Sequence, residues 1–269
     1  SGSFENTRWP LVGVAYPAWK AGMMSITFGS TFDQRFQAQR AITADFADGP
    51  VGGTDSFVSD GGVSRVNLGW GRSVNSRLAV GVSLGRYSGR VIKRLVRQFD
   101  AIDVDSSTEP YQAGGRWRYS GTSVTGGASL QFGEVARVAG SVSWGGTLKA
   151  DPSEDTQGSG ASYAMPTQMR IGGSGLLAQG LLLTASYSRG DWTDTGADLT
   201  VGTTVGAAAS YGVGIELTRA RLLGREAPLR LGYRTSDLPF ERDGGAPSET
   251  AFTAGFGMVL NERAGLVLA

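Results

Sequence analysis

The sequence predicts an all-β fold, an antiparallel transmembrane β-barrel with about twelve strands visible of about fourteen expected. Three features point there. Apolar side chains recur every second residue, the positions between them are small or polar, and short connections alternate with long polar ones along the chain.

The period of two recurs from one end to the other. Met24, Ile26, Phe28, Ser30 and Phe32 alternate with Ser25, Thr27, Gly29 and Thr31. Val66, Leu68 and Trp70 follow the same rule, as do Leu78, Val80, Val82 and Leu84. Later come Tyr211, Val213, Ile215 and Leu217, then Leu229, Leu231 and Tyr233, then Phe252, Ala254, Phe256 and Met258. A soluble sandwich also alternates, because one sheet face meets its core. Here the second face is Gly, Ser, Thr, Ala and Arg, with few of the Lys and Glu that coat a wetted strand. A watery lumen on that side and lipid on the other account for both faces.

Strands are expected near 8–17, 22–40, 57–71, 77–97, 111–132, 137–149, 165–174, 180–190, 206–218, 228–236, 249–260 and 264–269. The connections 18–21, 72–76, 133–136, 175–179 and 261–263 are short, and 219–227 is intermediate. Between them lie the long polar stretches 41–56, 98–110, 150–164, 191–205 and 235–248. Outer-membrane barrels show this asymmetry, with short periplasmic turns and longer outer loops. The first connection is short, so the first strand runs towards the periplasm. Barrels ordinarily begin and end there, which implies one strand before Ser1 and one after Ala269. Residues 1–269 are then a single β-barrel domain lacking its first and last strands.

Composition removes whole classes of chemistry. The chain has no His and no Cys, hence no imidazole base, thiol nucleophile or soft transition-metal site. Outer-membrane phospholipases and proteases rely on histidine, so neither fits. A net charge of +1 gives no basic excess for nucleic acid. No acidic loop has EF-hand spacing. No enzyme activity, cofactor or metal is expected. No apolar run reaches the roughly 18–20 residues of a membrane helix. Aromatics gather at strand ends: Tyr16, Trp19, Trp70 and Phe132 beside short turns, and Trp117, Trp144, Tyr187 and Trp192 nearer the long loops. Two interfacial girdles would produce that distribution.

Several stretches resemble the FadL/TodX family of outer-membrane transporters of hydrophobic compounds. Arg8-Trp9-Pro10-Leu11-Val12-Gly13-Val14-Ala15-Tyr16-Pro17 looks like an early strand of that family. Pro166-Thr167-Gln168-Met169-Arg170-Ile171-Gly172 and Ser186-Tyr187-Ser188-Arg189-Gly190-Asp191-Trp192 resemble a later pair. Pro228-Leu229-Arg230-Leu231-Gly232-Tyr233-Arg234, with Asp237-Leu238-Pro239-Phe240 behind it, is similar to its Leu-Arg-x-Gly-Tyr strand. The resemblance implies a fourteen-stranded barrel in the bacterial outer membrane and passive uptake of hydrophobic or amphipathic molecules such as long-chain fatty acids. The family also has an N-terminal plug, to which nothing here corresponds.

With lipid outside, Arg65, Arg137, Arg170, Glu216, Arg230 and Arg234 point inward. Glu216 and Arg230 flank one turn at similar distances, which suits a cross-strand ion pair. Arg65, Arg170, Glu216, Arg230 and Arg234 are the candidate ligand-binding residues. Arginine suits an amphiphile's carboxylate through its two-pronged fork, and the same charges equally suit the filling of a watery lumen. Arg90, Lys93, Arg94 and Arg97 form a basic run, read either as an outer rim meeting anionic lipid headgroups or as a solvated face. Gly126, Gly127, Gly145 and Gly146 are candidate kinks. The partners implied are membrane lipid and a hydrophobic small molecule, with no nucleic acid. The alternative is a structural or interaction barrel, a scaffold or subunit of a larger envelope assembly with protein partners. A soluble β-rich binding domain is a third, weaker reading.

Overall fold

The computed structural model describes residues 11–18, 22–46, 49–100, 111–197, 205–222, 225–240, 245–261 and 264–268. Strands dominate them. The first group is β1 (Leu11–Pro17), β2 (Met23–Asp33), β3 (Phe36–Phe46), β4 (Gly49–Ser73), β5 (Leu78–Phe99) and β6 (Tyr111–Phe132). A second group is β7 (Ala136–Trp144), β8 (Thr147–Pro152), β9 (Ala161–Ala164), β10 (Thr167–Ala178) and β11 (Leu181–Asp191). The short helix α1 (Thr193–Ala197) precedes β12 (Ala207–Leu217), the small hairpin β13 (Arg221–Leu222) and β14 (Arg225–Glu226), β15 (Leu229–Asp237), β16 (Ser248–Asn261) and β17 (Ala264–Leu268).

One antiparallel sheet holds nearly all of it, in the order β1-β2-β4-β5-β6-β7-β10-β11-β12-β15-β16-β17. This path has the strand number expected from the sequence, and the fold is of barrel type. Among the described residues no ladder joins β1 to β17. The extra strands β3, β8 and β9 are continuations. β3 carries on from β2 along the same partner β4, and β8 and β9 extend β7 and β10 above a break. The stretch 41–56, expected as a loop, is therefore the top of a long hairpin. Its Asp, Gly and Thr content reads as a connection, yet 41–46 pairs residue for residue with 49–54 of β4, and 53–56 pairs with β5 on its other side.

Short turns close one end. Asn75 Oδ1 accepts hydrogen bonds from the amides of Arg77 and Leu78, both at 2.8 Å. Gly133 supplies φ 60° to the turn between β6 and β7, a conformation glycine adopts without strain. Of the candidate kinks, Gly126 and Gly127 lie in unbroken ladders. Gly145 and Gly146 mark the break between β7 and β8, where pairing with β6 slips by one residue.

The two faces differ as the alternation requires. One presents Leu84 at 61% exposure, Leu231 at 58% and Phe252 at 81%. So much contiguous exposed apolar surface marks an interaction surface rather than a face kept in water. The other face is concave. The ring of Phe32, on β2, meets that of Trp192, just past β11, edge-on at 6.2 Å. Six steps separate those strands in the sheet, roughly 29 Å if it lay flat at ~4.8 Å per step.

Candidate functional site: the concave face

Register assigns each sequence-predicted residue to a face, because a strand's side chains alternate strictly. Arg65 lies opposite Tyr87 on the concave side, its guanidinium 5.7 Å from the ring centre. Arg137 donates to Ser129 Oγ at 3.2 Å and Arg170 to Gln168 Oε1 at 3.1 Å. Glu216 and Arg230 are direct cross-strand partners. Arg230 Nε and Nη2 donate to the two carboxylate oxygens at 3.1 and 3.3 Å, the ion pair expected from their equal distance to the turn. Arg234 is also concave.

These residues do not converge on one point. Arg170 begins a row that crosses four strands through Ser188, Ser210 and Ser236. Arg234 lies one step nearer the short turns, beside Gly212 and Ser186. Arg170 and the serines line a small cavity of about 150 Å³ with Gln168 and Trp192. Arg65 stands on the other side of the sheet order, on β4. Of the lower charges, Arg230 is neutralised by Glu216, while neither Arg170 nor Arg234 has a carboxylate within 4.0 Å among the described residues.

Higher up, the concave face departs from the polar lining expected. Val63, Tyr87, Val91, Tyr119, Leu148 and Ala150 form a buried cluster there, with Phe32, Trp117, Tyr163 and Met165 against it. Burial pushes the Tyr119 hydroxyl pKa up, with the nearby Tyr163 adding to it. Above the cluster Phe36, Phe57, Leu95 and Ala113 line a groove of about 300 Å³. The Ser59 hydroxyl beside Phe57 is buried without a hydrogen-bond partner among the described residues. Together groove and cluster make a largely apolar inner track on β4, β5 and β6, crossed by the Ser59–Lys93 pair and reaching down to Arg65.

Two devices bring this about. Pairing of β2 with β4 shifts by one residue between Ser30 and Phe32. A single extra residue inverts every later side chain, so Phe32 turns inward although the sequence period places it with Phe28. On β5 the apolar positions change parity without a bulge. Val80, Val82 and Leu84 are convex; Tyr87, Val91 and Leu95 are concave. Arg86, Ser88, Arg90 and Arg94 take over the convex positions, and β6 repeats the exchange with Val124 against Trp117 and Tyr119. That change of parity was present in the sequence and is the signal by which the inner track could have been found.

Three expectations are corrected by this geometry. Trp117 and Trp192 do not join an outer girdle. Trp117 is concave, donating to the Ser159 carbonyl at 3.3 Å with the Lys93 ammonium 5.8 Å from its ring centre. Trp192 folds inward onto Phe32. Trp144, with the ring pair Tyr187 and Tyr211 at 5.0 Å, does lie on the convex face. Trp19 falls outside the described residues. The basic run is divided between the faces: Arg90 and Arg94 are convex, Lys93 and Arg97 concave. Arg97 grips Asp55, its direct partner, with Nε at 2.6 Å from Oδ1 and Nη2 at 2.8 Å from Oδ2.

Comparison with known proteins bears on the fold. No protein-family model matches the chain, and no curated protein does. Among solved structures it is similar to the CymD monoaromatic hydrocarbon channel, with a TM-score of 0.52 and 15% identity over 94% of this chain and 78% of that one.

Proposed function

We propose that this chain forms the wall of a bacterial outer-membrane channel that admits hydrophobic small molecules passively, without covalent chemistry. The inner track carries the reading. Phe36, Phe57, Leu95 and Ala113 line an apolar groove on the concave surface, and Val91, Tyr119 and Tyr87 form the buried cluster beneath it. A wall built only to enclose water has no use for them, because barrel interiors are otherwise polar. The likeness to a hydrocarbon channel and the resemblance to FadL/TodX transporters support the same solute class. An amphiphile such as a long-chain fatty acid would place its chain on the track and its carboxylate lower, where Arg170 and Arg234 flank a row of serines.

Uptake into lipid vesicles holding the full-length protein tests this. Replacing Phe57 and Leu95 by serine leaves the buried cluster below intact. It should lower uptake of a labelled monoaromatic hydrocarbon and a labelled long-chain fatty acid by about thirtyfold, as losing two apolar contacts of about 1 kcal/mol each implies. Heat-modifiable gel migration reports that the barrel is still folded. Unchanged uptake of both solutes by the folded variant would dismiss the channel in favour of an envelope scaffold.

A further inference from the structure

The convex face just above the apolar belt is unlike the rest of the outer surface. Arg86, Arg90 and Arg94 on β5, Arg116 and Arg118 on β6 and Lys149 on β8 all lie there and are exposed. Register sets Arg90 directly opposite Arg118, and like charges so placed repel. Among the described residues, none of these five arginines has a carboxylate within 4.0 Å. Asp151 is the register partner of Arg118 without forming an ion pair with it.

A groove of about 1100 Å³ lies over this patch. Its floor is Arg90, Arg94, Arg116 and Arg118; one wall is the segment 153–157, with Glu154 and Asp155. Thr156 fixes that wall by accepting the Arg116 amide and donating to its carbonyl, both at 2.9 Å. Below the groove on the same face come Leu84, Val82, Val80 and Val124. From Leu78 to Arg86 the strand climbs about 20 Å along a barrel axis tilted roughly 40°. The cations therefore begin close to where the roughly 25 Å apolar band of a membrane barrel ends.

The geometry points to a binding site for the phosphorylated sugar headgroup of an outer-leaflet glycolipid, its acyl chains lying along Val80, Val82, Leu84 and Val124. Guanidinium forks match phosphate oxygens. The carboxylates of Asp151, Glu154 and Asp155, which oppose a bare anion, accept hydrogen bonds from sugar hydroxyls. The mixture selects a phosphorylated sugar over a simple anionic phospholipid. The site rests on the outer-membrane reading above, and it is independent of what passes through the channel.

Native mass spectrometry of the full-length protein released from micelles tests it, with four probes: a diphosphorylated disaccharide lipid, the same lipid dephosphorylated, phosphatidylglycerol and inorganic phosphate. The phosphorylated glycolipid should be retained about tenfold or more above the other lipids, and inorganic phosphate at equal concentration should not displace it. Arg90→Glu with Arg118→Glu should lose that preference by a similar factor, whereas Arg77→Glu at the short-turn end should keep it. Equal retention by the double variant, or of phosphatidylglycerol, overturns the site, as does displacement by phosphate alone. Heat-modifiable migration of the wild-type protein is read alongside. Loss of the site with migration intact leaves the membrane reading standing; absence of heat-modifiable migration removes both.

Discussion

The two halves of the wall are built to different heights. β10, β11, β12 and β15 run 12, 11, 11 and 9 residues, close to the 9–11 that cross a bilayer as tilted strands. β4, β5 and β6 run 25, 22 and 22. The low half keeps one pattern over most of its height: convex Met169, Ile171, Val213, Ile215, Leu229 and Leu231, with concave Ser, Gly, Arg and Thr, the exceptions being convex Arg189 and concave Leu176 and Leu182 at the strand ends. The tall half keeps that pattern up to Leu84 and then inverts it. The environment, not the strand, sets which face is apolar. On the outer-membrane reading proposed above, the outside within lipid must be greasy. Beyond it the outside meets headgroups and water, and the inside is free to gather Tyr87, Val91 and Tyr119 into a cluster.

Placing a charge on the same face in each half breaks or sustains this contrast, and has the largest expected effect. Val213→Arg puts a guanidinium on the convex face of β12, where Val213 is 54% exposed. Near mid-depth in lipid that costs about 2–4 kcal/mol. Thr54→Arg, on the convex face of β4 above the parity change, should stay within about 0.5 kcal/mol of wild type. Urea unfolding in phospholipid vesicles, followed by tryptophan fluorescence, measures both. Equal costs would mean that the two halves share one environment, and the membrane boundary drawn at Arg86 would be lost.

The upper hairpin of the tall half has its own pH dependence. Hydrogen bonds from the Arg97 guanidinium hold the Asp55 carboxyl below its ordinary value of 3.8, against the opposing effect of burial. A carboxyl lowered on folding stabilises the fold in full above its unfolded value, and the stabilisation fades as pH falls through the lowered one. Amide exchange at 53–57 and 95–99, corrected for intrinsic rates, should therefore be flat from neutral pH to about 5 and rise below about 4. Asp55→Asn should raise it at neutral pH. Protection in that variant equal to wild type would show that the ladder alone holds the extension.

How far these features could be read from the residues follows the same division. In the low half the reading needed only period two, and it placed Leu217, Leu229, Tyr233 and the Glu216–Arg230 pair correctly. In the tall half it stopped too soon. The stretch 41–56 is rich in Asp, Gly and Thr, which favour turns in isolation; pairing of 41–46 with 49–54 overrides that preference. Period two places Phe32 on the convex face, because a bulge leaves no mark on composition. Tyr87 and Val91 escape a period-two pattern that holds one parity, because the apolar positions of β5 change parity above Leu84. The concave arginines are legible as a set, but their dispersal over β4, β7, β10 and β15 depends on register.

The smallest effect concerns the low half's ion pair. Arg230 is 43% exposed and Glu216 22%, on a concave face that water reaches, where such a pair is screened and adds little stability. Glu216→Gln should leave the unfolding midpoint within error of wild type. It should nevertheless release Arg230, adding a third uncompensated guanidinium to Arg170 and Arg234. Affinity for a carboxylated amphiphile should then rise a few-fold, more at low salt than at high, because the Debye length shrinks from about 30 Å to about 3 Å between 0.01 and 1 M. A neutral hydrocarbon, held by the tall half's track alone, should be indifferent to the change. If the carboxylated solute is indifferent too, the low half's arginines serve only to solvate the lumen, and recognition belongs wholly to the tall half.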